Sequence, residues 1–193
     1  MQKVRIENLE EHYCDGQKLA IDKYLQIGDG VGRYLLAVGE SPAGNGWRKS
    51  GRAFFTTSSK VVPTGKNFLI NLKQIDDCLS LENISFTEIA KCFVADNRKI
   101  LHACASKTWL HFIEQLNYVK PKLIILLGQK TTEIFNFLAD TSLEVGVIKE
   151  VKLSNQKYFV LPLYHPSPLN PRRVMNVDFI DKNKVLIRKL LGI

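Results

Sequence analysis

Two short apolar runs, each closed by glycine, constrain this chain most. Leu35-Leu36-Ala37-Val38 runs into Gly39, and Leu123-Ile124-Ile125-Leu126-Leu127 runs into Gly128. Neither run contains a polar residue, which suits strands buried on both faces of a parallel sheet. Helical patterns fall between the runs and after them, so strands alternate with helices. That alternation predicts an α/β protein, a three-layer α/β/α sandwich around a central, mainly parallel four-stranded sheet. In open sheets of this kind, ligands bind in the crevice beyond the carboxyl ends of the strands. The first run ends there, in Gly39-Glu40-Ser41-Pro42, with Glu40 as a carboxylate at the lip.

The remaining elements are placed around these runs. Residues 1–32 read as one or two short helices and a Gly-rich turn, and the first strand starts at Tyr34. The Gly28-Asp29-Gly30-Val31-Gly32 turn precedes the strand, which excludes a dinucleotide-binding fingerprint by position. A long loop, of the length that tends to carry function, runs to about Pro63. Thr64 caps a helix over 65–79, with Phe68, Leu69, Leu72 and Ile75 on its inner face. The second strand, over 84–91, alternates and ends at Cys92; a helix over 101–118 turns Trp109, Phe112, Ile113 and Leu116 inward. A helix over 130–139, strands over 146–153 and 157–164, and a helix over 176–191 complete a single domain spanning 1–193. Val177, Ile180, Val185 and Leu186 form the apolar face of the last helix.

The net charge is +8, from 27 Lys+Arg against 19 Asp+Glu. A basic surface draws polyanions toward it. No apolar run reaches the 18 or more residues of a membrane span, and the N-terminus lacks the apolar core of a signal peptide. The expectation is a monomeric cytoplasmic protein that does not engage a membrane. Cys14, Cys78, Cys92 and Cys104 are dispersed, and disulfides are rare in the cytoplasm. They read as buried thiols or metal ligands.

A second segment carries chemistry: His165-Pro166-Ser167-Pro168-Leu169-Asn170-Pro171-Arg172-Arg173. Three prolines stiffen it, because each fixes its own φ and restricts its predecessor. His165 is thereby held at the end of a strand, beside the mouth that Glu40 occupies. The two arginines suit phosphate.

Gly39-Glu-Ser-Pro-Ala-Gly-Asn-Gly-Trp-Arg-Lys-Ser-Gly-Arg-Ala-Phe54 resembles the first motif of the uracil-DNA glycosylase superfamily. Its spacing is similar to the family 5 form and its Gly-Glu start to family 4. His165-Pro-Ser-Pro-Leu-Asn resembles the second motif, and the segment from Lys91-Cys92 to Gly128 matches family 4 in outline. The resemblance implies excision of uracil or another deaminated base from DNA carrying such damage. It makes Glu40 and His165 catalytic, with Glu40 positioning water and supplying charge and His165 donating to the base O2. It makes Gly39, Ser41, Phe54 and Glu88 base-binding, Phe54 being the stacking platform with Phe55 as fallback. Lys49, Arg52, Pro166, Ser167, Leu169, Asn170, Arg172 and Arg173 become DNA contacts, Leu169 as a wedge.

The chain departs from the family pattern at three places. Glu88 stands where family 4 has an asparagine that reads the uracil edge, and a carboxylate accepts but does not donate unless protonated. Thr57 stands where family 5 has an aspartate. The resemblance also implies a four-cysteine 4Fe-4S cluster, dispensable for catalysis, with Cys14, Cys92 and Cys104 at ligand positions. The partner of Cys14 is replaced by Glu11, beside His12. Eight strand residues, about 26 Å, separate Cys78 from Cys92, so Cys78 reads as a buried thiol at the opposite edge of the sheet. A nucleic-acid-binding protein of the same fold with little or no catalysis is the alternative.

Overall fold

In a computed structural model, residues 19–43, 46–94 and 100–193 are described. The expectations for Cys14, Glu11, His12 and the helices of residues 1–18 lie outside them. Among the described residues the sheet has six strands: β1 (Leu25–Gln26), β2 (Leu35–Gly39), β3 (Ser85–Glu88), β4 (Leu123–Leu127), β5 (Lys149–Leu153) and β6 (Gln156–Leu163). Their order is β1-β3-β2-β4-β6-β5. The four central strands are parallel, as the apolar runs predict, and β1 and β5 add an antiparallel strand at each edge. The sheet is therefore two strands wider than the four expected, although β5 answers the strand expected over 146–153. β1 takes the place of predicted helix, and Tyr34 belongs to a 3-10 turn (Gly32–Tyr34) rather than to β2.

Strand alternation divides the core. Leu35 and Ala37 of β2, with Leu123, Ile125 and Leu127 of β4, face one apolar layer that contains α2 (Pro63–Ile75) and α6 (Met175–Leu191). Leu36, Val38, Ile124 and Leu126 face the other, with α3 (Leu101–Lys107), α4 (Trp109–Val119) and α5 (Gln129–Leu138). This is the expected three-layer sandwich. From β2 the chain moves to β3 on one side, then to β4 on the other. The carboxyl ends of β2 and β4 are thus a topological switch point, where such sheets bind ligands.

Several local expectations are corrected. α2 starts on Pro63, whose missing N–H costs nothing at a first helical position, and no side chain caps it. The helix expected over 101–118 is broken at Thr108, whose hydroxyl bonds back to the Cys104 carbonyl at 3.0 Å. β3 is buried on both faces rather than one, Ser85 and Thr87 being absorbed by hydrogen bonds, Ser85 Oγ to the Arg33 carbonyl at 3.0 Å and Thr87 Oγ1 to that of Tyr24 at 2.8 Å. On α6 the buried stripe is Ile180, Ile187 and Leu191; Val185 is 84% exposed and Leu186 lies at the surface. Cys78 is exposed, because its N–H is tied to the Asp76 carboxylate in the turn after α2. Among the described residues no helix is long and apolar enough to cross a membrane.

Candidate active site

The parallel register of β2 and β3 sets Gly39 opposite Glu88. The ladder continues past the strand ends, with Ile89 N–H donating to the Gly39 carbonyl and Ala90 N–H to that of Glu40. A cavity of about 870 Å³ opens at this end of the sheet, lined among others by Gly39, Glu40, Phe54, Glu88, Gly128 and His165. The two segments that sequence reasoning singled out therefore meet. Ser41 also lines the cavity.

His165 follows β6 by two residues and is held from several directions. Its Nδ1 accepts the Ser167 N–H at 3.2 Å, which puts the proton of the neutral ring on Nε2, as a donor. Its carbonyl accepts from Asn170 Nδ2 at 3.0 Å. Leu169 N–H donates to Ser167 Oγ, and Asn170 Oδ1 caps the following 3-10 turn (Pro171–Val174) through the Arg172 N–H. Arg173 Nη1 donates to the carbonyls of Pro168 and Asn170, so one of the expected phosphate ligands also braces the loop. Arg172 lies 5.8 Å from the Tyr164 ring centroid, and Leu169 is 92% exposed at the loop tip. Pro166 is buried, and its carbonyl accepts from Asn67 Nδ2 of α2 at 2.8 Å. Fully buried Asn176 of α6 holds both the N–H and the carbonyl of Tyr164 at 2.9 Å. Sequence reasoning missed Asn67 and Asn176; nothing local to them signals a partner.

Phe54 is half-buried with φ +65°, a left-handed conformation uncommon for a bulky residue. It is wedged between Phe68 (centroids 5.4 Å) and the edge of Phe86 (4.7 Å). The approach is allowed by Gly65 of α2, where a Cβ would stand 2.8 Å from that of Phe54. Phe55 is instead in the core, with the Arg52 guanidinium stacked 4.0 Å from its centroid. Trp47, on the short α1 (Trp47–Ser50), lines the cavity beside Phe86 at 5.2 Å, a wall element that sequence reasoning passed over. Lys49 of α1 and Arg52 are exposed.

Glu88 is 6% exposed and stands in the cavity wall beside Phe86. Its Oε2 has no hydrogen-bond partner among the described residues, and a Cβ on Gly39 would fall 2.2 Å from it. Burial pushes the carboxyl up to about 8; the charge of Lys91 pulls it down and that of Glu40 pushes it further up. Lys91 is buried on the other face of the sheet. Its Nζ donates to Thr87 Oγ1 and Gln115 Oε1, both at 2.6 Å, and to the Glu88 main-chain carbonyl. All three acceptors are uncharged, and burial pushes the ammonium down to about 7.

Cys92 and Cys104 lie in one buried apolar cluster. Cys78 belongs to the turn before β3, where Asn83 Nδ2 holds its carbonyl, while Cys92 follows the far end of that strand. Four cysteine ligands therefore do not converge, and the residues do not fit a four-cysteine cluster. Among the described residues no group of three or more His, Cys, Asp or Glu could hold a metal ion.

A sandwich with a cavity at the switch point of its parallel strands puts the chain in the class of open α/β proteins, whose ligand sites lie beyond the strand ends. Residues 28–188 match the uracil DNA glycosylase superfamily, and the chain belongs to that superfamily. Its function is accordingly of the DNA glycosylase type, with DNA as the partner. Comparison with curated proteins returns no match.

Proposed function

We propose that the protein is a single-domain, monomeric DNA glycosylase that hydrolyses the N-glycosidic bond of uracil or another deaminated base. One observation carries the reading: the carboxylate of Glu40, the imidazole of His165 and the ring of Phe54 line the same cavity. A base must leave the stack to reach such a cavity. There Phe54 offers it a face, backed by Phe68 and Phe86. Glu40 takes a proton from a water held at C1′, and its charge offsets the oxocarbenium-like sugar. The water oxygen bonds to C1′ as the C1′–N bond breaks, and the bonding pair leaves with the base. His165, through Nε2–H, donates to the base O2 where that charge collects. Lys49, Arg52, Arg172 and Arg173 meet phosphates, Ser41, Pro166 and Ser167 press on the DNA backbone, and Leu169 fills the space the base leaves.

The test is single-turnover cleavage of a labelled duplex with uracil opposite guanine, followed by alkali to break abasic sites. Parallel duplexes carry hypoxanthine and xanthine. Scission with at least one lesion is expected, and Glu40→Gln should abolish most of it while a gel shift persists. A protein that shifts every duplex and cuts none is a binding protein of this fold, which the partnerless acid at 88 would then favour.

A further inference from the structure

Lys91 is fully buried, and an ammonium group is costly to bury against neutral acceptors alone. Its acceptors come from two directions. The chain leaves β3 at Glu88, and the Lys91 side chain folds back on that strand, donating to Thr87 Oγ1 at 2.6 Å and to the Glu88 carbonyl. From α4, Gln115 Oε1 accepts at 2.6 Å, while its Nε2 holds the carbonyls of Ile21 and Lys23 at 2.9 Å each. The Phe112 ring centroid lies 5.7 Å from Nζ. One side chain thus ties the end of β3 to α4 and, through Gln115, to the chain that enters β1.

Residues 89–94 need that tie. They belong to no strand or helix, and all but Phe93 are buried. They nevertheless position a reacting group. The Ile89 N–H holds the Gly39 carbonyl at 2.9 Å, and the Ala90 N–H holds the Glu40 carbonyl at 3.1 Å. Phe93 and Val94 line the cavity. Resting on the glycosylase reading, we propose that Lys91 is a positioning residue for excision. It latches the end of β3 from the face opposite the cavity. The Ile89 and Ala90 N–H groups then hold the main chain of Glu40 where its carboxylate meets the attacking water. An apolar side chain of the same length fills the space but leaves the strand end free to shift. A displacement of about 1 Å at a reacting group costs about a hundredfold in rate. The groups assigned to DNA contact lie elsewhere, on α1 and on the loop after β6, so the shift acts on the chemical step and spares affinity.

The experiment compares three variants of the full chain on the lesion duplexes above, well below each melting temperature. Lys91→Met keeps the length of the side chain without its donors. Gln115→Met removes the acceptor on α4 and keeps Lys91. Leu116→Ala cuts volume from the same core layer and makes none of these side-chain hydrogen bonds. In single turnover at saturating protein, Lys91→Met should slow excision about 10- to 100-fold, with duplex affinity within about threefold. Gln115→Met should change both quantities in the same sense, and Leu116→Ala should excise at a near-normal rate despite its lost stability. Amide hydrogen exchange gives a readout besides turnover. The Ile89 and Ala90 N–H groups should exchange faster than global stability accounts for in the two network variants, and no faster in Leu116→Ala. If Lys91→Met does not fold, Gln115→Met carries the same comparison. Unchanged excision in a folded network variant, or an equal loss of rate in Leu116→Ala, overturns the proposal and leaves the glycosylase reading standing. No excision of any lesion by the unaltered protein overturns the glycosylase reading and the role of Lys91 with it.

Discussion

Holding a carboxyl neutral inside the fold makes stability depend on pH, and Glu88→Gln isolates that dependence. The unfolded chain ionises this carboxyl near 4.5, the folded chain near 8. Between those values the folded state binds more protons than the unfolded state. Stability from this group is therefore fully present below about 4.5, falls as pH rises, and levels off above about 8. At about 1.36 kcal/mol per unit, the drop between pH 5 and pH 8 is about 3–4 kcal/mol. Glutamine has no such dependence. The variant adds a constant offset, so only the pH-dependent difference between the two proteins is read. For a domain of this size 1 kcal/mol moves the melting temperature about 2–4 °C, so the difference in melting temperature should change by roughly 6–16 °C across that range. Urea unfolding at pH 5, 6, 7 and 8 checks the same quantity directly. Parallel stability curves for the two proteins would refute the reasoning, because they would mean Glu88 titrates alike folded and unfolded.

Gly39→Ala should lower stability by about 1–3 kcal/mol and cut excision sharply, because the new methyl meets Glu88 Oε2; an unchanged melting temperature would count against this packing. Phe54→Ala and Phe55→Ala should separate function from fold. The first weakens engagement of the lesion duplex by about 1–3 kcal/mol in single-turnover titrations. The second removes a core ring and costs about 3–5 kcal/mol of unfolding free energy. Asn176→Ala should cost about 1–3 kcal/mol and slow excision, since it frees both backbone groups of Tyr164 next to His165; calorimetry and single-turnover rates check the two effects. Arg172→Gln should weaken binding to lesion and undamaged duplexes alike and reduce the slope of log affinity against log salt by about one.

The centre of the sheet was legible because β2 and β4 share one signal, an unbroken apolar run closed by glycine. The two segments of the site were legible because each follows the carboxyl end of an expected strand, β2 for Glu40 and β6 for His165. What stayed hidden depends on distance along the chain. Asn67 and Pro166 are 99 positions apart, and only the packed fold brings them to 2.8 Å. Asn176 looks like an ordinary polar position near the start of a helix until α6 is docked on the sheet. β1 is two residues long, too short for any period to register. On α6 the apolar residues Val185 and Leu186 distracted from the buried stripe, whose members Ile180, Ile187 and Leu191 follow the seven- and four-residue spacing of one helix face. Cys78 misled by residue type: a thiol is usually buried, but the Asp76 turn brings this one to the surface.

Glu88 was readable as a departure from a pattern, but its consequence was not, because the protonation of a carboxyl is a property of burial. The structure supplies the burial, and with it a titration that the stability curves read. The levelling of the Glu88→Gln stability difference should therefore fall near pH 8. Lys91 acts on absolute stability in the opposite sense. Its folded value, near 7, is lowered from 10.5, so its contribution rises from about pH 7 to 10.5. Because Lys91 is present in both proteins, subtracting the two stability curves removes it to first order and leaves Glu88.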